Sequence, residues 1–381
     1  MVIGGKKRKV RKLNIGYDYP PILFTHVGVG EEEKDIDSAI RIEKEKIKLA
    51  IKASTDAIVD VSLSSNIKYI QEELIKELEI PFGGVSIYET YYLVQKVKNA
   101  NKELFLNVIK DECERGLDFI TLHATVFRHD RELFNTSGRI IPTTSRGGMM
   151  MLEILEEYDM ENPYYTYFDE ILDIVKEYNV GLSLGPMYRP ASVVDAKIDS
   201  LHMMELERMG HLTKKALEKN VCIMIEGIGH ASLDRIPYLI SKARELTFDV
   251  PYRVMSVSND ISIGFDHISA SIAHANAIYY GASSITAVSR SEHIGIPSIE
   301  DTYEGVIAAR IAAYSGYIAR SNDLSRDRIM SESRKNEGCI GDLNICLFPN
   351  IVKENIDIKN YNCTMCGALC PLKKVKKNGK I

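Results

Sequence analysis

Three cysteines near the end of the chain have the type and spacing of ligands for a metal ion or an iron–sulfur cluster. Cys363, Cys366 and Cys370 follow the pattern C-x2-C-x3-C. Three thiolates on a [4Fe–4S] cluster leave one iron open, and the reductive cleavage of S-adenosylmethionine requires such an iron because its amino and carboxylate groups bind there. A structural zinc site with a fourth ligand from Cys339 or Cys346 is the alternative. The spacing alone leaves both interpretations open.

The size and composition of the chain limit the kinds of protein that it can be. The 381 residues are 45% hydrophobic and 27% charged, which is typical of a globular chain large enough for a barrel with extensions. A net charge of −5 argues against nucleic acid as the main partner. The chain has neither a run of 18 apolar residues nor an apolar signal core, so we expect no membrane partner and a cytoplasmic location. The basic runs at 6–12 and 373–377 are typical of solvated or disordered termini.

Short apolar runs alternate with helical patterns along most of the chain. There are eight such runs, and a helical pattern follows most of them. This alternation predicts the α/β class and a (β/α)8 TIM barrel. A doubly wound open sheet is disfavoured because no G-x-G-x-x-G follows the first strand. The predicted strands are 57–63, 84–88, 118–122, 139–141, 181–184, 222–225, 252–257 and 284–288, and the main predicted helices are 35–53, 165–178, 195–219, 232–246, 267–280 and 298–319.

Three parts are expected along the chain. Residues 1–50 form an N-terminal segment, in which 13–30 is predicted to be loop with a short strand because it contains Pro20-Pro21 and several glycines. Residues 51–320 form the barrel. Residues 321–381 form a C-terminal helical region with the cluster-binding tail.

Polar residues directly after the predicted strands are candidates for the active site, because barrel enzymes build their sites at the carboxyl ends of the strands. These positions hold more histidines, arginines and carboxylates than packing explains. They are Tyr88, His123, Ser145 to Gly148, Arg189, Glu226, His230, Asp260, Arg290, Glu292 and His293.

Two groups of these residues suggest specific ligands. Residues 145–148 offer a hydroxyl, a guanidinium and backbone N–H groups next to two glycines, which suits a phosphate or carboxylate, although an ordinary turn has the same pattern. His230 and His293 follow the predicted sixth and eighth strands and could hold one divalent metal with open positions, or act as hydrogen-bonded structural histidines. Asp266 opens a predicted helix, and we expect it to act as a cap.

Together these motifs resemble the phosphomethylpyrimidine synthase family of radical S-adenosylmethionine enzymes. The resemblance extends over most of the chain and rests on many short motifs, each weak alone. They are Asp60-Val61-Ser62, Val85 to Tyr88, Asp118 to His123, Ser145 to Gly148, Ser183 to Gly185 with Arg189-Pro190, Met224 to Gly227 with Gly229-His230, Asp266-His267-Ile268 and Glu292 to Pro297.

The resemblance implies a homodimer in which the cluster tail of one subunit reaches over the barrel of the other. The family converts 5-aminoimidazole ribotide into 4-amino-5-hydroxymethyl-2-methylpyrimidine phosphate in thiamine biosynthesis, with a [4Fe–4S] cluster, S-adenosylmethionine and an external one-electron reductant. By position, Cys363, Cys366 and Cys370 match the cluster ligands, and His230 and His293 match the ligands of a divalent metal, zinc or iron. The substrate-contact positions are matched by Tyr88, His123, Ser145, Arg146, Gly147, Arg189 and Glu226.

Four departures from the family pattern concern the tail and the substrate pocket. The cysteine spacing is one residue shorter than usual. Pro186 stands where the family commonly has an aspartate, and the loss of a buried acceptor of this kind costs about 1–3 kcal/mol, enough to change substrate preference. His26 lies where the family has an Asn-rich strand end, and Arg253 stands in place of a tyrosine.

The function that this resemblance implies is therefore that of a radical S-adenosylmethionine carbon–carbon lyase of the phosphomethylpyrimidine synthase type. One alternative is a paralogue acting on the same or a related ribotide, such as a 5-hydroxybenzimidazole synthase. The other is a non-radical, metal-dependent barrel lyase that uses His230 and His293 and holds structural zinc in its tail.

Overall fold

The structure, a computed structural model, describes residues 1–76, 78–196, 200–338, 340–356, 363–372 and 374. Cys339 and most of the basic run 373–377 lie outside these residues. The strands are β1 Val2–Ile3, β2 Leu13–Asn14, β3 Ile22–Val27, β4 Ala57–Asp60, β5 Phe82–Val85, β6 Phe119–Leu122, β7 Gly181–Leu184, β8 Ile223–Gly227, β9 Tyr252–Val254 and β10 Ser284–Ala287. The helices are α1 Ile36–Lys52, α2 Ile67–Ile75, α3 Ser86–Val97, α4 Lys102–Arg115, α5 Arg131–Thr136, α6 Arg146–Glu157, α7 Pro163–Thr166, α8 Phe168–Tyr178, α9 Ser200–Glu218, α10 Ile236–Leu246, α11 Asp266–Tyr279, α12 Ile299–Ser321, α13 Ser325–Glu337 and α14 Pro349–Asn355.

Strands β3 to β10 form a closed parallel barrel in the order β10-β3-β4-β5-β6-β7-β8-β9. Every residue of β4 to β9 is buried, because side chains that point inward fill the barrel and those that point outward pack under the helices. This burial explains why the strands are short and mostly apolar, with only single polar residues such as Thr121 and Ser183. The predicted (β/α)8 barrel is confirmed.

One predicted strand is wrong, and one barrel strand lies in a segment that the sequence predicts to be mainly loop. Residues 139–141 form a loop between Gly138, whose φ is +70°, and Pro142. The backbone N–H groups of Ile140 and Ile141 donate to the carboxylate of Asp195 and not to a neighbouring strand. The missing strand is β3, which starts immediately after the two prolines that suggested a loop. The barrel therefore begins before the 51–320 range that the sequence predicted.

The amino-terminal residues close the bottom of the barrel. Ile3, Leu13 and Ile15 from the β1–β2 hairpin are buried against inward-facing barrel residues, including Phe24 and Phe119. Most basic residues of the run 6–12 are exposed, as expected of a solvated segment. The exception is Arg8, which is half-buried and whose Nη1 donates to Asp118 Oδ2 at 3.0 Å. The hairpin covers the end of the barrel that is opposite the candidate site.

Capping residues define several helix starts. Asp35 Oδ1 accepts from Ser38 N at 3.1 Å and begins α1, as its position in the sequence indicates. Ser298 and Asp301 form a reciprocal capping box at the start of α12. The predicted helix 195–219 contains α9, Ser200–Glu218; residues 195 and 196 are not helical, and residues 197–199 lie outside the described part of the chain.

The C-terminal region packs beside the barrel. Arg326 on α13 donates to the carbonyl oxygens of Ile345 and Cys346, each at 2.7 Å, and Lys52 on α1 pairs with Glu354 on α14 at 2.5 Å. The three tail cysteines lie in residues 363–372, where 364–366 form a turn and Gly367–Leu369 form a short 3-10 helix. In the part of the chain that the structure describes, no helix is long and apolar enough to cross a membrane.

Candidate active site

A cavity of about 560 Å³ opens at the carboxyl ends of the barrel strands. It collects the substrate and metal residues predicted from the sequence, which come from the ends of five different strands or from the loops and helices after them. Because parallel strands in a barrel end at one rim, residues far apart in sequence meet there. The predicted residues that line this cavity are Tyr88, His123, Ser145, Arg146, Gly147, Arg189, Glu226, His230 and His293.

Two imidazoles face each other at the rim. His230 Nε2 and His293 Nε2 are 3.3 Å apart. His230 Nδ1 lies 2.7 Å from Asp260 Oδ1, and His293 Nδ1 lies 3.0 Å from Asp266 Oδ1. Each carboxylate accepts the Nδ1 proton, and this assignment leaves both Nε2 atoms with lone pairs that point toward each other.

Asp260 and Asp266 orient the two rings. Asp260 is itself held by Val193 N at 2.9 Å and by Ser192 Oγ at 3.1 Å. Burial by itself raises the pKa of Asp260, but its hydrogen bond from His230 lowers that pKa below the usual value. Asp266, expected to be a helix cap, is in the first turn of α11 without a capping hydrogen bond and instead supports His293. The role of Asp266 therefore depends on a contact across the rim.

These two histidines fit a divalent metal. A tetrahedral ion with metal–nitrogen bonds of about 2.0–2.1 Å holds its ligands roughly 3.3–3.4 Å apart, which matches the Nε2 separation. Burial lowers the pKa of His230, so its ring is neutral at pH 7 as a ligand must be. Among the residues that the structure describes, no group of three or more metal-binding side chains is found.

The start of α6 forms the part of the cavity suited to an anion. Ser145 caps this helix, and its Oγ accepts from Gly148 N at 3.2 Å. Arg146 is the first helical residue, and its guanidinium carbon lies 5.9 Å from the centre of the Tyr88 ring. A Cβ atom on Gly147 would collide with the His123 ring, which explains why a glycine is required there. A helix N-terminus beside a guanidinium favours a phosphate or carboxylate.

Glu226 is the centre of a buried polar network inside the barrel. Its Oε1 accepts from Thr121 Oγ1 at 2.9 Å, from Ser183 Oγ at 2.7 Å and from Arg253 Nη2. Burial raises the pKa of Glu226, but Arg253 and the two hydroxyls outweigh this effect and lower it below the usual value. Glu226 is therefore ionised at neutral pH although it is buried. The sequence marks Thr121 and Ser183 only as parts of longer motifs, and their contact with Glu226 follows from their inward positions on β6 and β7.

Two histidines in the cavity are neutral. Burial, and then the charge of Arg253, lowers the pKa of His26 to about 3. Burial lowers the pKa of His123 to about 4. Each ring therefore has one nitrogen that donates and one that accepts at neutral pH. His26 is one of the departures from the family pattern, and it lines the same cavity as the matched residues.

The loop after β7, which contains the Pro186 departure, is held by a buried carboxylate on α9. Glu205 Oε1 accepts from Met187 N at 2.6 Å, and Oε2 accepts from Tyr188 N at 2.8 Å. Arg139, outside the barrel strands, donates to Tyr188 O from the other side. Anchored in this way, the loop places both Pro186 and Arg189 in the cavity wall.

Several predicted residues lie away from the cavity. Arg290 pairs with Glu304 at 3.5 Å, and its guanidinium carbon lies 5.3 Å from the centre of the Phe265 ring. Cys363, Cys366 and Cys370 share one short segment, and none of them lines the cavity of their own chain. Their donor chemistry, three thiols in eight residues, suits an iron–sulfur cluster, although no group of three or more metal-binding side chains is assembled among the described residues.

Comparisons with known proteins place the chain in a family. A family model described as the Radical SAM ThiC family matches residues 1–377. The phosphomethylpyrimidine synthase of Carboxydothermus hydrogenoformans is 37% identical over 350 residues, which cover 88% of this chain and 81% of that protein. The phosphomethylpyrimidine synthase of Archaeoglobus fulgidus is 36% identical and covers 97% and 88%, and that of Methanocaldococcus jannaschii is 33% identical and covers 100% and 91%. This chain therefore belongs to the radical SAM ThiC family, whose name implies an iron–sulfur cluster and S-adenosylmethionine.

Proposed function

We propose that this chain is a phosphomethylpyrimidine synthase, a radical S-adenosylmethionine carbon–carbon lyase. It converts 5-aminoimidazole ribotide into 4-amino-5-hydroxymethyl-2-methylpyrimidine phosphate. The observation that carries the proposal is the single cavity that gathers all nine predicted substrate and metal residues. The relatives named above favour this function over that of a 5-hydroxybenzimidazole synthase or a non-radical lyase.

The phosphate of the ribotide binds at the start of α6. Ser145, Arg146 and Gly147 supply a hydroxyl, a guanidinium and backbone N–H groups there, and Arg189 adds a second guanidinium in the cavity wall. A phosphate ester with two negative charges is matched by these two guanidinium groups and by the positive end of the helix.

The ring of the ribotide lies deeper in the barrel. Glu226 is ionised, and it accepts a hydrogen bond from an N–H group of the ring or of its amino substituent. Neutral His123 can donate and accept beside it, and Tyr88 closes one side below Arg146. These residues bind and orient the ring and exclude water from the part of the ligand that rearranges.

The tail holds the cluster through Cys363, Cys366 and Cys370. When bound, the cluster supplies the electron for reductive cleavage of S-adenosylmethionine at its open iron, and an external one-electron reductant replaces that electron. Coordination requires these thiols to lose their protons. His230 and His293 hold a divalent metal, zinc or iron, at the rim of the same cavity.

The active unit is a homodimer in which the tail of one subunit covers the barrel of the other. The tail cysteines do not line the cavity of their own chain. Apolar side chains are exposed near the rim, among them Ile261 at 93% and Ile294 at 66%, and the tail exposes Met365 at 87% and Leu369 at 72%. Contact between these two apolar surfaces would remove both from water.

Product analysis tests the reaction. The protein is reconstituted with iron and sulfide under anaerobic conditions, reduced, and incubated with S-adenosylmethionine and 5-aminoimidazole ribotide. We expect the pyrimidine phosphate by mass spectrometry and a [4Fe–4S]+ paramagnetic resonance signal that changes when S-adenosylmethionine is added. Stoichiometric zinc without iron, or cleavage without the pyrimidine, would contradict the proposal.

Subunit mixing tests the roles of the tail and of the partner. Replacing Cys363, Cys366 or Cys370 by alanine should abolish S-adenosylmethionine cleavage and leave the circular dichroism spectrum unchanged, whereas Cys339→Ala should have little effect. A tail-deficient variant mixed with Glu226→Gln should regain activity, because one site in the heterodimer is intact. If subunit exchange is verified and no activity returns, the proposal that the two subunits share one active site is wrong.

A further inference from the structure

A buried arginine inside the barrel contacts Glu226. Arg253 lies on β9, and its side chain is 1% exposed. Its Nη2 donates to Glu226 Oε1, and its guanidinium carbon lies 4.8 Å from the centre of the Phe24 ring. The family resemblance leads us to expect a tyrosine at this position, so this charge is a departure that the proposed function does not use.

The two oxygens of Glu226 have different surroundings. Oε1 accepts from Thr121, Ser183 and Arg253. No hydrogen bond to Oε2 is found within the described residues, and Glu226 lines the cavity. Because three donors fix one oxygen, the carboxylate cannot turn to exchange the two, and Oε2 stays available to a ligand.

Packing and stability alone do not account for an arginine at this position. Nε and Nη1 of Arg253 have no hydrogen-bond partner among the residues that the structure describes. A buried donor without a partner costs about 1–3 kcal/mol, and an apolar side chain would avoid that cost. The hydrogen bond and ion pair that Arg253 does make go to a residue of the cavity.

We propose that Arg253 is a positioning residue for Glu226: together with Thr121 and Ser183 it occupies Oε1 and thereby presents Oε2, as a carboxylate oxygen, to an N–H donor on the ring end of the bound ribotide. Arg253 also lines the cavity, and the role assigned to it here is exerted through Glu226. The inference rests on the proposed function only in taking the ribotide as the ligand.

Arg253 is the charged group in direct contact with Glu226. Among the other groups whose charges act on Glu226 or Arg253, His26, His123 and Tyr88 are uncharged at neutral pH, and Arg189 faces the network from the loop after β7. Arg146 lies farther out on α6. Without Arg253, burial would raise the pKa of Glu226, and the carboxylate would take up a proton as the pH falls.

Three variants test the inference by calorimetric binding of 5-aminoimidazole ribotide to the anaerobic holoenzyme between pH 5 and 8. Arg253→Met should weaken binding at least about tenfold at pH 6, and the ratio of its Kd to that of the wild type should rise as the pH falls. Arg253→Lys should restore most of the affinity because it keeps the charge. Arg115→Met should keep the wild-type profile, since it breaks a similarly buried pair with Glu89, at 2.9 Å, outside the cavity.

Infrared spectroscopy of each variant, with the wild-type spectrum subtracted, measures the protonation of Glu226 without any ligand. Arg253→Met should show a carboxylic-acid band at pH 6 that is absent from the wild type and from Arg253→Met/Glu226→Gln. Wild-type ribotide binding with an unchanged Kd ratio at every pH and no acid band would overturn the inference. If the wild type binds no ribotide, the proposed function fails, and the infrared band still decides whether Arg253 keeps Glu226 ionised.

Discussion

At the scale of residues, the rim histidines show how carboxylates prepare a metal ligand. His230 and His293 each donate Nδ1–H to an aspartate, which fixes the tautomer and turns Nε2 toward the other ring. Such partners also raise the basicity of the nitrogen that binds the metal. Two lone pairs 3.3 Å apart repel each other unless a cation lies between them. The arrangement therefore favours a bound ion over a hydrogen bond between the rings.

Replacing either aspartate by asparagine should weaken metal binding about 10–100-fold without unfolding the protein. Asp260→Asn and Asp266→Asn remove the charge that supports the rings and allow the wrong tautomer. The Kd for Zn²⁺ is measured by chelator competition in a background that lacks the three tail cysteines. Asp169→Asn, which changes an exposed carboxylate paired with Lys215, serves as the control. Equal Kd values in all variants would show that the aspartates do not support a metal site.

At the scale of elements, close backbone contacts between neighbouring strand ends place the rim residues. His230 N donates to Pro190 O at 2.9 Å, and this bond joins the loop after β8 to the loop after β7. Gly229 has no Cβ atom, and one added there would collide with the same Pro190 oxygen. Arg189 and His230 are therefore held at a fixed separation because the backbones of their loops touch.

Gly229→Ala should destabilise the protein by about 1–3 kcal/mol, because the two loops must move apart to admit a methyl group. The same movement displaces His230 and should weaken metal binding. Chemical denaturation and Zn²⁺ titration measure the two effects. Gly295→Ala is the matched control, since no atom lies within 4 Å of its added Cβ. A Gly229→Ala variant as stable as this control would show that the loops are not packed as described.

At the scale of the whole molecule, the barrel and its helices bury several histidines without charge. His202 on α9 is 1% exposed, and neither of its ring nitrogens has a partner within the described residues. Burial, and then the charge of Arg139, lowers its pKa to about 3. Its neutral form contributes stability above pH 6.5, and that contribution is lost as the pH falls toward 3 because the unfolded chain binds the proton first.

His202→Leu removes the imidazole that binds a proton in the unfolded chain. The variant should therefore lose less stability in acid than the wild type. As the pH falls from 6 to 4.5, the free energy of unfolding of the variant should rise relative to that of the wild type by about 1 kcal/mol per pH unit. Comparing the two proteins cancels the contributions of the other titrating groups. Denaturant midpoints at several pH values supply the measurement, and parallel pH profiles would show that His202 is charged or exposed in the folded protein.

Short-range sequence patterns are sufficient to predict the barrel and most of the residues that line its cavity. Most strands are largely apolar runs bounded by polar residues, and in a parallel barrel the residues that follow such runs lie at the rim where the site forms. This rule identified His123 and Glu226, directly after predicted strands, and His293 in the loop after the last one, without any contact information. It failed for β3, because Pro20-Pro21 is a turn signal and only pairing with β4 and β10 makes the following residues a strand.

By itself, the sequence determined the fold class, the rim at which the site lies and the thiols suited to a cluster, because these depend on residue type and short-range spacing. Only the tertiary structure decided that Asp260 and Asp266 support the histidines, that Thr121, Ser183 and Arg253 converge on Glu226, and that the amino-terminal hairpin plugs the barrel. The physical reason is distance along the chain. Hydrogen bonds between residues dozens of positions apart form when closure of the barrel brings their strands together, and no local pattern records that pairing.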